Sequence, residues 1–591
     1  MSVTSTISKL VNIPAKKVDS FFRSLMKTGI DFEVLDPKDL EGKWSAISYY
    51  KTEGVEFAGQ KLITIDEILS TNLPKKSFLE SFADDRVEVS LGELKNIEDE
   101  KVELDNLVSK LALVNEKSQL IKTDIADESK EELQKEIDQI KDSLKDYLEK
   151  DLYINSETKK KLTLLYGYYQ LQAKTEEIRS KAFRLNDKSE AVFAFIAVKE
   201  KDEAKLAEFL QKEEVFGENI DWNKDIVDWD NPGALKSFQD VAQSIGTIDK
   251  KEADPTSGVA AFFMIFFAFC LGDAIYGAII ALFTGYFLFI RGVKSNFKGI
   301  FNIFFYSSLI AILIGVVTNS WAGDFFNSSL VKQLFGISTD PALSTSTPIN
   351  DFLVNFQLID VLTASAKVPV NQAMKDTSPI IIMMLAAGFI GFLNQLLGYI
   401  YRIITNAANG LWNVVFGQFA WLLFLSMSIG LIVVNSVAPS ISSVALIALY
   451  VSLGILFILN QADSFGGKIL GFLLGPRGIY GILQLGSNLI SYVRIVAIGL
   501  TGTIIAQIVN LLAGLMYASA GPVVGLILAL IILIIGHVFN FVLAAFGAYI
   551  NPLRLTYVEF MPGFFEGSGR QLASARPEFK HLKIVSNSEN S

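Results

Sequence analysis

Arg494 lies in the middle of an apolar segment, residues 479–517, where inserting a guanidinium costs about 2.5–3.5 kcal/mol. Gln484, Ser487, Asn488 and Ser491 precede it by ten, seven, six and three residues, and Thr501 follows by seven. At helical periodicity these share one face with the arginine. A polar stripe leading to a buried cation is the pattern of an aqueous path that ends at a fixed charge, so the chemistry it points to is ion transfer. The next apolar segment, 522–550, carries His537 and Asn540; Asn551 and Arg554 follow near one face, with Glu559 just beyond. A simpler role for Arg494 is an ion pair joining two helices, but no Asp or Glu lies between Asp463 and Glu559. An arginine with no acid inside its own spans implies a partner on another subunit or a moving ion. For His537 and the amides, ordinary interhelical hydrogen bonds are the simpler role.

Other chemistries find no residues. Cys270 is the single cysteine, so an intrachain disulfide or thiolate metal site is excluded, and its apolar surroundings read as a buried inert thiol. Only His537 and His581 are histidines, which excludes a multi-histidine metal site. Neither GxxxxGK[ST] nor HExxH occurs, so no nucleotide or zinc-protease site is expected. No cofactor and no metal is implied, and no internal repeat is evident.

The elements that must hold Arg494 follow from how charge is distributed. Of residues 1–250, 37 are basic and 50 acidic, whereas the other 341 residues hold only 29 charges. That is a water-facing front part and a lipid-facing back part. The back part is too sparsely charged to bind nucleic acid electrostatically, and the acidic front part has no polybasic attraction to anionic lipid. The start, MSVTSTISKL, has no apolar core after a basic end, so no cleavable signal peptide is expected and the front part is expected in the cytoplasm.

Apolar stretches long enough to span a bilayer occur at 257–290, 299–321, 377–401, 411–434, 440–460, 479–517 and 522–550. The first would make roughly 50 Å of helix against roughly 30 Å of hydrocarbon, with Gly272 and Asp273 near its middle. Two short helices meeting there would give eight spans; one tilted helix would give seven. Eight spans place Arg291, Lys294, Lys298, Arg402, Lys468, Arg477 and the basic tail inside, as the positive-inside rule requires. Both termini are then expected to be cytoplasmic, with the loop 322–376 outside.

The front part is expected to be a small α/β lobe with a long arm. From Leu104 the apolar residues fall at Leu107, Val108, Leu111 and Val114, and again at Leu133, Ile137, Ile140, Leu144 and Leu148. This spacing predicts two long antiparallel coiled-coil helices over about 95–185, broken near 123–129. A compact helical domain is the alternative; against it, the apolar stripe is narrow. Strand-like runs at 44–51, 86–89 and 191–200, the last followed by a helical stretch, predict the lobe. The expected domains are thus 1–255, a cytoplasmic α/β lobe with arm; 256–565, a polytopic α-helical membrane domain whose last two helices are long and tilted; and 566–591, a cytoplasmic tail.

Five segments carry a resemblance: NPGALKSFQDVAQSIG with DPT following at 254–256, FFAFCLGDAIYG at 266–277, GVVTNSWAGDFF at 315–326, SYVRIVAIGLTG at 491–502, and NPLRLTYVEFMPGFFEGSG at 551–569. In this order, across this hydropathy profile, they resemble the membrane subunit a (subunit I) family of V-type and A-type rotary ATPases. The likeness runs from about 185 onward and is weakest in the arm.

That resemblance implies a stator subunit, not itself catalytic in ATP hydrolysis, in a prokaryotic plasma membrane. Its partners would be a ring of c/K proteolipid subunits, peripheral-stalk E/G-type subunits held through the arm, a d/C-type central subunit and membrane lipid. It implies that Arg494 meets each ring carboxylate in turn and keeps two half-channels from short-circuiting. Gln484, Ser487, Asn488 and Ser491 would line the cytoplasmic half-channel, and Arg554 and Glu559 match the family's second arginine and its motif. Eukaryotic members carry a glutamate ten residues before that second arginine and a histidine eight after the first; this chain has Ala544 and Gly502. His537, Asn540 and Thr503 are therefore the candidates for the outer half-channel. The carried ion, H⁺ or Na⁺, is left open. A self-contained secondary transporter with a regulatory coiled coil is the alternative from another class, with Asp273 as its coupling acid. A structural scaffold, in which Arg494 would be dispensable, is a third.

Overall fold

A computed structural model of the chain describes residues 3–37, 48–49, 55–71, 80–121, 127–149, 153–184, 191–220, 226–334, 372–407, 423–427, 442–458, 479–575 and 579–584, save isolated positions within them. The chain divides into two compact units, one of residues 3–229 with 569–591, the other of residues 230–568. Hydropathy changes at about 255, but the packing boundary falls earlier, so the short polar helix before the first apolar stretch belongs with the apolar helices.

The first unit is built on a mixed sheet. Its long strand β1, Val3–Pro14, is followed by helix α1, Val18–Lys27, and strands β2, Phe32–Leu35, and β3, Ser48–Tyr49. Next come α2, Val55–Thr71; β4, Val87–Val89; α3, Leu91–Ile121; α4, Asp127–Asp142; a hairpin of β5, Leu148–Glu149, and β6, Tyr153–Ile154; and α5, Ser156–Ser180. The chain then returns through β7, Phe183–Arg184; β8, Ala191–Lys199; α6, Glu203–Lys212; β9, Phe216–Ile220; and β10, Ile226–Trp229. Strand β1 pairs antiparallel with β8, β9 and β10, and β8 also pairs with β2 and β7. The sheet is thus made from both ends of the polar part; of the three strand-like runs, 191–200 becomes β8 and 44–51 contributes the short β3, whereas 86–89 forms β4 outside this sheet. Val18, Phe21, Phe22 and Leu25 recur at helical spacing on α1 and are buried against Val11, Ile13, Val192, Ala194 and Ile196 of the sheet. Lys199, almost fully enclosed, bridges Asp31 at 3.0 Å and Asp228 at 2.9 Å.

The stripe read as a two-helix arm is organised differently. Leu104, Leu107, Val108 and Leu111 of α3 are buried together with Ala58, Ile65 and Ile68 of α2 and Leu162, Leu165 and Tyr169 of α5. The apolar positions of α3 therefore meet two neighbours at once, and α2 to α5 share one core. Two residues fix this arrangement. The Tyr169 hydroxyl donates to the Asp105 carboxylate at 2.7 Å, and Asn155 caps α5 by accepting from the Thr158 amide at 2.7 Å.

The C-terminal tail belongs to this unit. Strand β11, Arg570–Gln571, adds in parallel to β10, and β12, Leu582–Ile584, adds in parallel to β4. Arg570 pairs with the buried Glu33, which also accepts from the Ala573 amide at 3.0 Å. Asp66 on α2 receives both Lys580, at 2.7 Å, and His581, at 2.5 Å. Burial works against the charge of Asp66, but these hydrogen bonds outweigh it and hold the carboxyl below its ordinary value.

The second unit is almost wholly helical: α7, Leu235–Gln243; α8, Thr256–Leu271; α9, Ala274–Gly285, continued as a wider coil to Arg291; α10, Ser295–Val317; α11, Gln372–Ala407; α12, Ser442–Ile458; α13, Ile479–Ala520; and α14, Pro522–Arg554. Among the described residues four stretches are long and apolar enough to cross a membrane: Ala274–Arg291, Asn296–Val317, Leu483–Ala520 and Pro522–Gly563. The stretch read at 411–434 lies outside the described residues apart from short pieces at 423–427.

The first apolar stretch breaks where Gly272 and Asp273 foretell. Gly272 sits at φ +56°, ending α8 in a left-handed conformation that favours glycine. Asp273 caps α9, its Oδ1 accepting from the amides of Ile275 and Tyr276 at 2.9 and 3.0 Å. Its Oδ2 accepts from the Ser320 hydroxyl at 3.1 Å and the Gly323 amide at 3.0 Å.

Candidate functional site

Helices α13 and α14 form a hairpin around Gly521. Counting equal steps from that turn sets Gly502 opposite Asn540, and the Asn540 amide indeed donates to the Gly502 carbonyl at 2.8 Å. Beside the hairpin, α8 approaches so closely that a Cβ on Gly499 would lie 2.3 Å from the Phe269 carbonyl oxygen. The break between α8 and α9 therefore sits against α13 little more than a turn beyond Arg494.

The register of α13 around Arg494 is held by its neighbour Tyr492, which is fully buried. The Tyr492 ring packs on Phe266, centroids 5.4 Å apart, and its hydroxyl accepts from Gln395 of α11 at 2.9 Å. Gln395 also donates to the Glu559 backbone carbonyl at 2.9 Å. One amide thus ties α11, α13 and the continuation of α14 together next to the arginine.

Arg494 itself is half-buried, and its Nη1 is enclosed with no hydrogen-bond partner. Glu559 is buried, with an enclosed Oε2 equally without a partner, and lies within electrostatic reach of both Arg494 and Arg554, with the Ser491 side chain beside it. The apolar segments read from the sequence, 479–517 and 522–550, hold no acid for Arg494, but the structure brings Glu559, near the end of the stretch Pro522–Gly563, within its electrostatic reach. Hairpin counting hides this. It sets Glu559 opposite Leu483, about 16 Å along α13 from Arg494, whereas residues 555–560 widen into a looser coil that packs back on α13. Arg554 is exposed.

The polar stripe faces away from the chain's own packing. Gln484, Ser487 and Thr501 are exposed, and Asn488 and Ser491 half-buried. Ser491 and Thr501 turn their hydroxyls to the backbone carbonyls of Ser487 and Ala497, at 3.3 and 2.8 Å, and Thr503 bonds the Gly499 carbonyl at 3.1 Å. His537 and Asn540 form a second polar group nearer the hairpin turn. The Tyr276 hydroxyl lies 2.8 Å from His537 Nδ1 and accepts from Asn540 at 3.1 Å, and His537 Nε2 lies 2.9 Å from Asn510 Oδ1. Tyr276 and Asn510 are polar residues in apolar runs, and Tyr276 also lies within the segment 266–277 that carries the resemblance.

No family model matches the chain. It is 29% identical over 355 residues to the A-type ATP synthase subunit I of Methanocaldococcus jannaschii, an alignment covering 58% of this chain and 48% of that protein. It is 29% identical over 463 residues to the A-type ATP synthase subunit I of Methanothermobacter thermautotrophicus, covering 76% and 60%. The V-type ATP synthase subunit I of Borreliella burgdorferi is 25% identical over 329 residues, covering 52% and 47%. The chain is a homologue of A-type and V-type ATP synthase subunit I. It spans about half to three-fifths of the length of the curated relatives it matches.

In this subunit I homologue the two positions that depart from the eukaryotic pattern are neighbours. A Cβ on Gly502 would meet the Ala544 Cβ at 3.9 Å, so the two small residues face each other across the hairpin. The polar groups sit instead at Asn540, one turn from Ala544, and at His537, two turns from it. Asp273, the coupling acid of a self-contained transporter, has both oxygens engaged in capping α9 and holding the 320–323 loop.

Proposed function

We propose that the chain is the ion-conducting stator subunit of a rotary ATPase, coupling ATP hydrolysis or synthesis elsewhere in the complex to movement of H⁺ or Na⁺ past Arg494. The observation that carries this reading is the enclosed, partnerless Nη1 of an arginine on a polar stripe that the chain leaves uncovered. A buried N–H without an acceptor costs roughly 1–3 kcal/mol, and a carboxylate presented by a passing ring subunit would relieve it. An arginine guanidinium is a fixed positive charge. It therefore favours the ionised form of any carboxylate that approaches and drives the ion off into one path.

Glu559 completes the device. With the ring carboxylate absent, Arg494 is compensated by Glu559; when the ring carboxylate arrives, two acids compete for one cation, which prevents either from holding it permanently. Gln484, Ser487, Asn488 and Ser491 line the cytoplasmic approach, with Arg554 at its mouth, and His537 and Asn540 belong to the outer approach. The eight-span membrane domain faces a c/K-type ring, with E/G-type stalk subunits on the helical bundle within 95–185 and a d/C-type subunit beneath. Arg494→Ala tests the reading: ATP-driven ion transport is lost while the complex still assembles, and retained transport sinks it.

A further inference from the structure

Within the second unit a cavity of about 380 Å³ opens between α7, α10 and the end of α14 with its continuation, and none of the ion-path residues lines it. Its size falls in the range of small-ligand sites, about 300–1,000 Å³. On α10 the lining residues Asn296, Gly299, Ile300 and Ile303 recur at three- and four-residue spacing, so one face of that helix is a wall. The cavity takes residues from the start of the membrane-length stretch Asn296–Val317 and from near the end of Pro522–Gly563, which is the level of lipid headgroups. Most polar groups of the wall are engaged. The Tyr557 hydroxyl donates to the Val241 carbonyl at 3.1 Å and accepts from Ser244 at 2.7 Å, and Ser237 accepts from Asn302 at 3.0 Å. Two groups are not: among the described residues nothing donates a hydrogen bond to the Asp240 carboxylate, and the Tyr549 hydroxyl makes none.

Asp240 is the one charged side chain in the wall among the described residues. Its Oδ2 lies against the bare backbone of Gly299, where a Cβ would sit 3.0 Å from it. The carboxylate is open to the cavity, yet the protein packed around it desolvates it enough to hold it above its ordinary value, against the pull of Lys236 one turn earlier on α7. One carboxylate with tyrosine rings and a spare tyrosine oxygen selects a cation that carries N–H donors. A primary ammonium has three such hydrogens, which the carboxylate and the Tyr549 oxygen accept, and its charge is favoured by the ring faces; a phosphate in the same place would face the carboxylate. The rim has the opposite sign. Lys294 and Lys298 bracket the first turn of α10, whose amides favour an anion. Next in sequence to lining residues, Phe297, Ile550 and Val558 are exposed apolar side chains, as is Ile300 of the wall itself, the kind of surface that acyl chains cover. We propose that this cavity binds the headgroup of a zwitterionic aminophospholipid, with the ammonium on Asp240 and Tyr549 and the phosphate at the lysine-bearing rim. The site is separate from the ion path and does not depend on it.

The test places the full-length chain, in its purified complex, in nanodiscs of dioleoylphosphatidylglycerol doped with a phosphatidylethanolamine that carries a diazirine near the top of one acyl chain, and maps the label by mass spectrometry after photolysis. Label is expected on the peptides holding 296–303 and 549–558. Unlabelled dioleoylphosphatidylethanolamine is expected to displace it about tenfold or more better than dioleoylphosphatidylcholine, whose trimethylated ammonium donates no hydrogen bond. Asp240→Asn is expected to lower labelling there by about 10- to 100-fold with labelling of other peptides unchanged, and Tyr549→Phe to lower it several-fold. Equal displacement by the two lipids, or full labelling in Asp240→Asn, would overturn the proposal. A carboxylate that serves only the N-terminus of α10 would give the second of these results together with a lowered melting temperature. Displacement by soluble glycerophosphoethanolamine as effective as that by the intact lipid would make the ligand a solute and overturn the lipid assignment. Should Asp240→Asn fail to assemble, the order of displacement in the wild type decides.

Discussion

Replacing Arg494 by alanine should separate transport from assembly more cleanly than any other change. A guanidinium about 4 Å from a carboxylate, at an effective dielectric near 20, interacts by about 4 kcal/mol, which is about three pKa units on that carboxylate. Without it, a ring carboxylate in the apolar interior would keep its proton or ion through the stator, and net transport should fall by about 100-fold or more. The cost to the fold is much smaller. Nη1 makes no hydrogen bond, so the loss is chiefly the compensation of Glu559, about 1–3 kcal/mol, against helices of 42 and 33 residues packed along their length. The assay is ATP-driven uptake in proteoliposomes beside co-elution of the complex on a sizing column, with Glu559→Gln as the companion variant. If Arg494 were only half of an internal ion pair, the two variants would be equally damaging. Transport above about a tenth of wild type in Arg494→Ala, with Glu559→Gln equal or worse, would refute the reasoning.

Further outcomes can be checked on the same preparation. Asp273→Ala removes the cap of α9 and two loop contacts, and should lower thermal stability by about 2–3 kcal/mol yet leave residual transport in whatever complex folds; complete loss of transport in a stably folded complex would restore Asp273 as a coupling acid. Gly499→Ala would push a methyl to 2.3 Å from the Phe269 carbonyl oxygen and should cost about 3 kcal/mol or more, seen as a lowered melting temperature in detergent; an unchanged one would contradict the packing of α8 on α13. The docked tail should respond to acid. Because the Asp66 carboxyl lies below its ordinary value of 3.8 when folded, its contribution is fully present above that value and disappears as pH falls through the folded pKa. Asp66→Asn should therefore expose the 579–584 segment to proteases at neutral pH, and equal protection in mutant and wild type would remove the role assigned to Asp66.

Much of this protein is legible in its sequence where the governing signal is local. Hydropathy marks the four long apolar helices found among the described residues, Gly272 and Asp273 mark a helix break by backbone preference and capping, and Arg494 stands out because a charge in an apolar run must have a reason. Long-range juxtapositions are not written in periodicity. The approach of Glu559 to Arg494 depends on a coil that loosens at 555–560, and the grouping of Tyr276, Asn510 and Asp324 with His537 depends on how three helices and a loop converge. The stripe on α3 shows the same limit: its spacing declares an apolar face, but not whether one helix or two will cover it.

The tail strands have a topological consequence. A chain that leaves a folded sheet at Trp229 and re-enters it at Arg570 must cross any bilayer between those points an even number of times, whatever the charges of its loops. Failure of a single span to insert would leave both tail strands, β11 and β12, on the far side of the membrane from their partners β10 and β4.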